Sequence, residues 1–256
     1  IEQFTIYYET TEELGDSYLT RWIDLAVAET EHPKEGDYLR WHYGGASSQG
    51  TCTTYSSGKR EYTLTITVSY YTTAEQEVEL DMAVENLITD LEITDSLTDY
   101  EKVKKLYDYI CTNITYDYDN LEDDTYKLKF SAYAALINKT AVCQGYANLL
   151  YRLLKEVGVE NRMIAGIGNG GDHAWNIIKL GDWYYCADAT WDAGRTSYSY
   201  FLKASENFGD HISDSEYTTS DFAAAYPIAE EDYVPATIVE SGSCGDSATY
   251  TLDSEG

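Results

Sequence analysis

Cysteine, histidine and aspartate occur in that order at Cys143, His173 and Asp188, and together they form the side-chain set that thiol acyl transfer requires. A thiol attacks an amide carbonyl only as its thiolate, so its pKa must fall from about 8.5 to about 3.5–7.5, which a helix N-terminus and a nearby imidazolium can achieve. His173 is the candidate imidazolium. It would protonate the leaving amine and then deprotonate the incoming water or amine. Asp188 would fix the tautomer and orientation of that ring. The backbone N–H of Cys143 is the natural first donor to an oxyanion, with Tyr133 as the candidate second. Taken singly, each of these residues is more often a packing or structural residue. Their order and local settings favour the catalytic reading.

Cys143 opens a helix-patterned run to Val157, with Leu149, Leu150, Leu153, Leu154 and Val157 on its inward face and Gly158 as the stop. Its first-turn N–H groups have no partner within the helix. The segments Arg162–Ile167, His173–Leu180 and Trp183–Asp188 read as a strand meander, with Gly181-Asp182 as a two-residue turn. If Leu180 pairs with Trp183, Trp175 falls opposite Asp188 and Thr190 opposite His173. His173 and Asp188 then become diagonal neighbours, within reach of a hydrogen bond.

Upstream, Phe4–Tyr8 and Tyr62–Tyr70 alternate like strands around a helix-like stretch from Ser17 to Glu29, and the Gly/Ser/Thr-rich segment from Gly44 to Gly58 reads as a hairpin or loop. The helical period takes over near Glu75. Thr98 and Glu101 form a capping box ahead of Val103, Leu106, Tyr107 and Ile110.

At 256 residues, 43% of them hydrophobic, the chain can bury a large core. Forty-five acidic residues against 17 basic ones give a net charge of −28, which repels nucleic acid and anionic membranes. No apolar run approaches the roughly 20 residues that span a bilayer, and neither a leader nor an anchor is expected in this sequence. The acidic run Asp117–Asp124 could suggest calcium, but it lacks the Gly and terminal Glu of an EF-hand, so a solvated loop is expected. Five scattered cysteines (Cys52, Cys111, Cys143, Cys186, Cys244) show no metal-type pairing and no disulfide framework. Cys111 and Cys186 read as packing residues. Trp175 and Trp191 flank the trio and could equally wall a substrate tunnel or fill the core. His211 has no partner identifiable from sequence, and a structural hydrogen bond is expected of it. The 26 tyrosines suit exposed strands.

The segments Ala141-Val142-Cys143-Gln144-Gly145-Tyr146-Ala147, Asp172-His173-Ala174-Trp175-Asn176 and Asp188-Ala189-Thr190-Trp191-Asp192 resemble the three motifs of the transglutaminase-like superfamily, in order, within a matched stretch of about Leu97 to Thr219. The resemblance implies an α+β, papain-like fold, with the nucleophile's helix packed on an antiparallel sheet and Cys143, His173 and Asp188 as nucleophile, base and orienting acid. It also implies a protein or peptide substrate and no cofactor. Because the superfamily contains transglutaminases, cysteine proteases, other amidases and inactive members, the resemblance specifies chemistry more firmly than substrate.

Residues 229–241 read as an acidic linker, and 241–253 resembles the start of a repeat or adhesion-type module of exported proteins of Gram-positive bacteria. The expected organisation is a small α+β domain at 1–80, the transglutaminase-like domain at 81–228, and a linker with the start of a further module at 229–256. A secreted or cell-surface thiol enzyme acting on peptide or glutamine amides is the leading reading. A non-catalytic binding or spacer module is the alternative.

Overall fold

The computed structural model describes residues 2–236, 238–243 and 249–253. Cys244 and part of the expected C-terminal module lie outside them.

The N-terminal strands form a three-stranded antiparallel sheet in the order β1 (Glu2–Thr10), β3 (Arg60–Tyr70), β2 (Tyr43–Thr54). The Gly/Ser/Thr-rich segment is thus mostly strand, and only its end forms the turn into β3. Alternation in β3 buries Leu64, Ile66 and Val68 on one face, which helix α1 (Tyr18–Ala26) covers with Tyr18, Leu19 and Trp22. The short helix α2 (Asp37–Arg40) lies against the rest of the molecule. Its buried Asp37 accepts hydrogen bonds from Arg162 Nε (2.7 Å), Arg162 Nη2 (3.0 Å) and the Met163 amide (2.8 Å).

Two capped helices follow. Capping boxes start both α3 (Ala74–Asp90), through Thr73 and Gln76, and α4 (Asp99–Asn113), through Thr98 and Glu101. The apolar stripe of α4, ending at the buried Cys111, packs on the central helix α5 (Cys143–Glu156). Every residue of α5 from Gly145 to Leu154 is buried, so the helix is surrounded by protein over most of its length. A short parallel bridge joins β4 (Thr115–Tyr116) to β5 (Thr140–Ala141), immediately before α5.

The other face of α5 rests on a four-stranded sheet formed by β6 (Asn161–Gly168), β7 (Gly171–Leu180), β8 (Trp183–Ala187) and β9 (His211–Ser213), in the order β8-β7-β6-β9 with antiparallel pairing throughout. Asn169 and Gly170, both with positive φ, make the two-residue turn between β6 and β7. Leu180 pairs with Trp183 and Ile177 with Cys186, as the turn at Gly181-Asp182 dictates.

The ladder stops at Asn176–Ala187. The expected continuation to Thr190 opposite His173 fails because the Asp188 carboxylate caps the four-residue helix α6 (Ala189–Asp192), accepting from the amides of Thr190 (2.9 Å) and Trp191 (3.2 Å). A carboxylate able to satisfy two free amides starts a helical turn where the strand would otherwise run on. Helix α7 (Ser220–Ala225) lies further along, and beyond it β10 (Ile238–Ser243) and β11 (Thr249–Asp253) pair as a hairpin. No helix among the described residues is long and apolar enough to cross a membrane.

Candidate active site

Cys143 is the first residue of α5, and the position before it is Val142, which offers no side-chain cap. With no side-chain cap there, the positive end of the helix faces the half-buried thiol. The next turn packs very closely: a Cβ at Gly145 would come within 2.7 Å of the Ala141 side chain and 2.9 Å of the Lys129 carbonyl. Only glycine lets the helix start so near the preceding loop.

His173 on β7 faces Cys143, and the two side chains interact directly. Its Nε2 lies 2.8 Å from Asp188 Oδ2, leaving Nδ1 for the thiol side. Gly168, on the neighbouring strand, leaves room for the ring, since a Cβ there would sit 2.8 Å from it. Burial disfavours the charged ring, but hydrogen bonds to Asp188 and Cys143 outweigh it and raise the His173 pKa to about 9. Asp188 is fully buried; burial alone would raise its pKa, but hydrogen bonds from His173 and His211 hold it below the usual carboxylate value.

Cys143 and His173 open onto a cavity of about 520 Å³ walled by Trp41, Tyr116, Leu121, Phe130 and Gly166, with Asp172 and Asp214 among its lining residues. Trp41 belongs to the N-terminal part of the chain, and its carbonyl accepts a 2.6 Å hydrogen bond from Gln144 Nε2. That part of the molecule therefore supplies one wall of the cavity.

The structure corrects three sequence expectations. Tyr133 is remote from the cavity, near the surface, where its hydroxyl donates to Glu79 (2.7 Å). The hydroxyl that meets the Cys143 amide is that of Tyr116, which accepts a hydrogen bond from it. Burial, with a smaller contribution from Cys143, pushes that phenol up to about 12. The two-residue parallel bridge that brings Tyr116 beside Cys143 has no periodic signal. Trp175 is buried against Ile164, Ile177 and Phe208, away from the cavity walls, and so is a core residue. Trp191 also lies outside the cavity lining, but it stacks on the His173 ring with centroids 4.9 Å apart. Cys186 and Cys111 are buried, as packing residues should be.

The acidic run is a folded loop. The Lys129 ammonium, buried beneath it, donates to the carbonyls of Asn120 (2.7 Å), Leu121 (2.8 Å) and Asp123 (2.9 Å), while Asp117 accepts from the backbone and side chain of Asn120. A lysine thus occupies the centre of the loop where a bound cation was the alternative.

One set of potential ligand atoms lies at the site: those of His173, Asp188 and His211 fall within 4.8 Å of one another. The two imidazole Nε2 atoms are 2.8 and 3.1 Å from Asp188 Oδ2, which are hydrogen-bond lengths. They are shorter than the roughly 3.3 Å between ligand atoms on a tetrahedral zinc with bonds of about 2.0 Å. The three residues form a hydrogen-bonded chain.

A helix presenting a cysteine at its N-terminus, packed on an antiparallel sheet that carries a histidine bonded to an aspartate, is an α+β, papain-like arrangement. Residues 89–191, a stretch that holds Cys143, His173 and Asp188, match the family model of the transglutaminase-like superfamily. Solved structures similar to the chain include a TGase at 16% identity and a TM-score of 0.43, covering 82% of this chain and 56% of that one. Another is a provisionally assigned cysteine protease from Cytophaga hutchinsonii at 14% identity and 0.38, covering 67% and 69%. A third is a provisionally assigned protease from Parabacteroides distasonis at 13% and 0.28, covering 55% and 36%. The chain thus spans little more than half the length of the TGase. No curated protein matches the sequence.

Proposed function

We propose that the chain carries a thiol acyl-transfer enzyme acting on peptide or glutamine side-chain amides. The observation that supports this best is a single ring, His173, bonded to the buried Asp188 on one nitrogen and set against Cys143 on its other side. In this reading the Cys143 thiolate adds to the amide carbonyl, forming a C–S bond. The oxyanion is met by the Tyr116 hydroxyl, whose oxygen is itself engaged by the Cys143 amide. Collapse breaks the C–N bond as His173 passes its proton to the leaving amine, giving a thioester. Water or an amine then attacks, His173 takes its proton, and breaking the C–S bond returns the thiolate beside the imidazolium.

The cavity walls favour a neutral or basic substrate over an acidic one. The only lysine on them, Lys129, spends its ammonium on three carbonyls, while Asp172 and Asp214 are exposed at the cavity. Water is the default acceptor, since it enters any open cavity at high concentration, and an amine would compete for the same thioester.

The reading is tested by incubating the protein with glutamine-containing peptides and a fluorescent alkylamine, with Cys143→Ala as control. Release of ammonia or of new peptide termini, dependent on Cys143, is expected. Amine incorporation would identify a transferase, and equal turnover by Cys143→Ala would refute the reading.

A further inference from the structure

Asp188 is held by two histidines. His211, on β9, directs its Nε2 to Asp188 Oδ2 at 3.1 Å, the same oxygen that His173 Nε2 meets at 2.8 Å. The other nitrogen of His211 lies 2.9 Å from Asp210 Oδ1, and Asp210 in turn accepts from the Tyr200 hydroxyl at 2.6 Å. The His211 side chain is only 1% exposed. It is clamped between Phe208, stacked at 3.9 Å between centroids, and Trp191 at 4.3 Å. Each ring nitrogen of His211 thus faces a carboxylate, and an ionised carboxylate only accepts, so making both bonds at once requires the doubly protonated ring.

We propose that His211 is a positioning residue of this site, holding the shared oxygen of Asp188 from a second direction so that the carboxylate stays aimed at His173 and divides its charge between two imidazoles. The inference rests on the thiol-enzyme reading above. Its physical content is a limit on how tightly Asp188 grips His173. An undivided carboxylate would hold the imidazolium more strongly and make it a poorer acid toward the leaving amine.

The surroundings of Asp188 leave this role to His211. The charged or cationic groups that act on it are His173, His211 and the neighbouring acid Asp192. The others are the thiol of Cys111 and the phenols of Tyr107, Tyr116, Tyr146 and Tyr200. Besides Asp188, the charged group bonded to His211 is Asp210, and the groups facing His173 are Asp188 and Cys143. No lysine or arginine is hydrogen-bonded or ion-paired to Asp188 among the described residues.

The test compares wild type with His211→Phe, an apolar ring that fills the same slot, and His211→Gln, which keeps an N–H donor and sheds the charge. Alkylation of Cys143 by iodoacetamide is followed against pH by peptide mass spectrometry, so that Cys52 and the other thiols are read separately. Hydrolysis of a p-nitrophenyl ester gives turnover. In wild type, two inflections are expected, the higher one marking deprotonation of His173. In His211→Phe that inflection should rise by about one pH unit and turnover should fall at least tenfold. His211→Gln should regain most of the ester turnover, because its N–H still aims Asp188 and p-nitrophenolate leaves without a proton, while its inflection stays raised. A folded His211→Phe with wild-type inflections and turnover would overturn the proposal. If His211→Phe does not fold, a wild-type inflection in His211→Gln overturns it instead. A wild-type profile with one inflection in the ordinary thiol range, near 8.5, would fail separately: it removes the thiol-enzyme reading and the inference with it.

Discussion

His173 and Asp188 meet diagonally just past the last rung of the β7–β8 ladder, with Nε2 2.8 Å from Oδ2. The other carboxylate oxygen is anchored by two backbone amides of α6. That anchoring fixes which oxygen faces the imidazole. Asp188→Asn would keep the shape, but it could present its amide N–H to His173 and favour the wrong tautomer. A loss of about 10³–10⁴ in kcat is expected, by analogy with the corresponding change in a serine-protease triad, together with a lower urea midpoint near neutral pH, because the carboxylate that stabilises the protonated His173 ring is gone. Ester hydrolysis and urea titration of the same preparation would check both halves.

The elevated pKa of His173, about 9, links stability to pH with a definite sign. The folded state binds the proton more tightly than the unfolded chain, whose histidine titrates near 6.5. The contribution is therefore complete below about pH 6.5 and is lost as pH rises through about 9. Its size is at most about 3 kcal/mol. Urea midpoints should fall between pH 6.5 and 9.5 in the wild type and fall less in His173→Gln. Parallel declines in the two proteins would remove His173 as the cause.

Tyr116 offers a hydroxyl at the Cys143 amide. If that O–H meets the oxyanion, Tyr116→Phe removes one donor from the transition state and leaves ground-state packing nearly intact. The expected loss is about 10-fold to 10³-fold in kcat with KM within a factor of a few. A change confined to KM would assign Tyr116 to substrate packing instead.

The readable parts of the sequence were those set by local periodicity. The capping box at Thr98, the α5 stripe from Leu149 to Leu154, and the turn at Gly181-Asp182 each follow from short-range rules, and the last of these carries the His173–Asp188 diagonal. What stayed hidden depends on contacts with no period. Tyr116 reaches Cys143 through a two-residue parallel bridge, and His211 reaches Asp188 from an edge strand of three residues. Trp41 reaches the cavity from about 100 residues upstream, tied there by Gln144. Tyr133 was the nearer tyrosine in sequence to Cys143, but the π-type turn beginning at Ala134 carries it toward Glu79. The acidic run looked like solvated surface because nothing local reveals that Lys129 lies beneath it.

Asp37 ties the N-terminal part of the chain to β6 through a buried, two-pronged contact with Arg162. In Asp37→Ala the guanidinium would remain buried with Glu29, at 3.6 Å, as its remaining carboxylate neighbour. A loss of about 3–5 kcal/mol is expected. The double variant Asp37→Leu with Arg162→Met should recover much of it, because no unpaired charge is left inside. Urea denaturation of the two variants decides the matter, and a double variant no more stable than Asp37→Ala would show that shape, not charge, holds this junction.

Lys129 is a cation built into a loop. Its ammonium satisfies three loop carbonyls at once, and the loop it gathers carries Leu121 to the cavity, with Tyr116 just ahead of it in the chain. Lys129→Met matches the length of the side chain but supplies no donor, so three carbonyls must find water or move. Local opening costs less than global unfolding, so the loop should yield first. Amides between Asp117 and Tyr126 are expected to exchange at least tenfold faster, while those of α5 remain protected. Because the thiol and imidazole sit on α5 and β7, turnover of a small p-nitrophenyl ester should change little. KM for a peptide that touches the Leu121 wall should rise several-fold. Unchanged exchange across 117–126 would mean the loop holds its shape without the ammonium, and the lysine would then be a passive filler of a space the acidic residues had already closed.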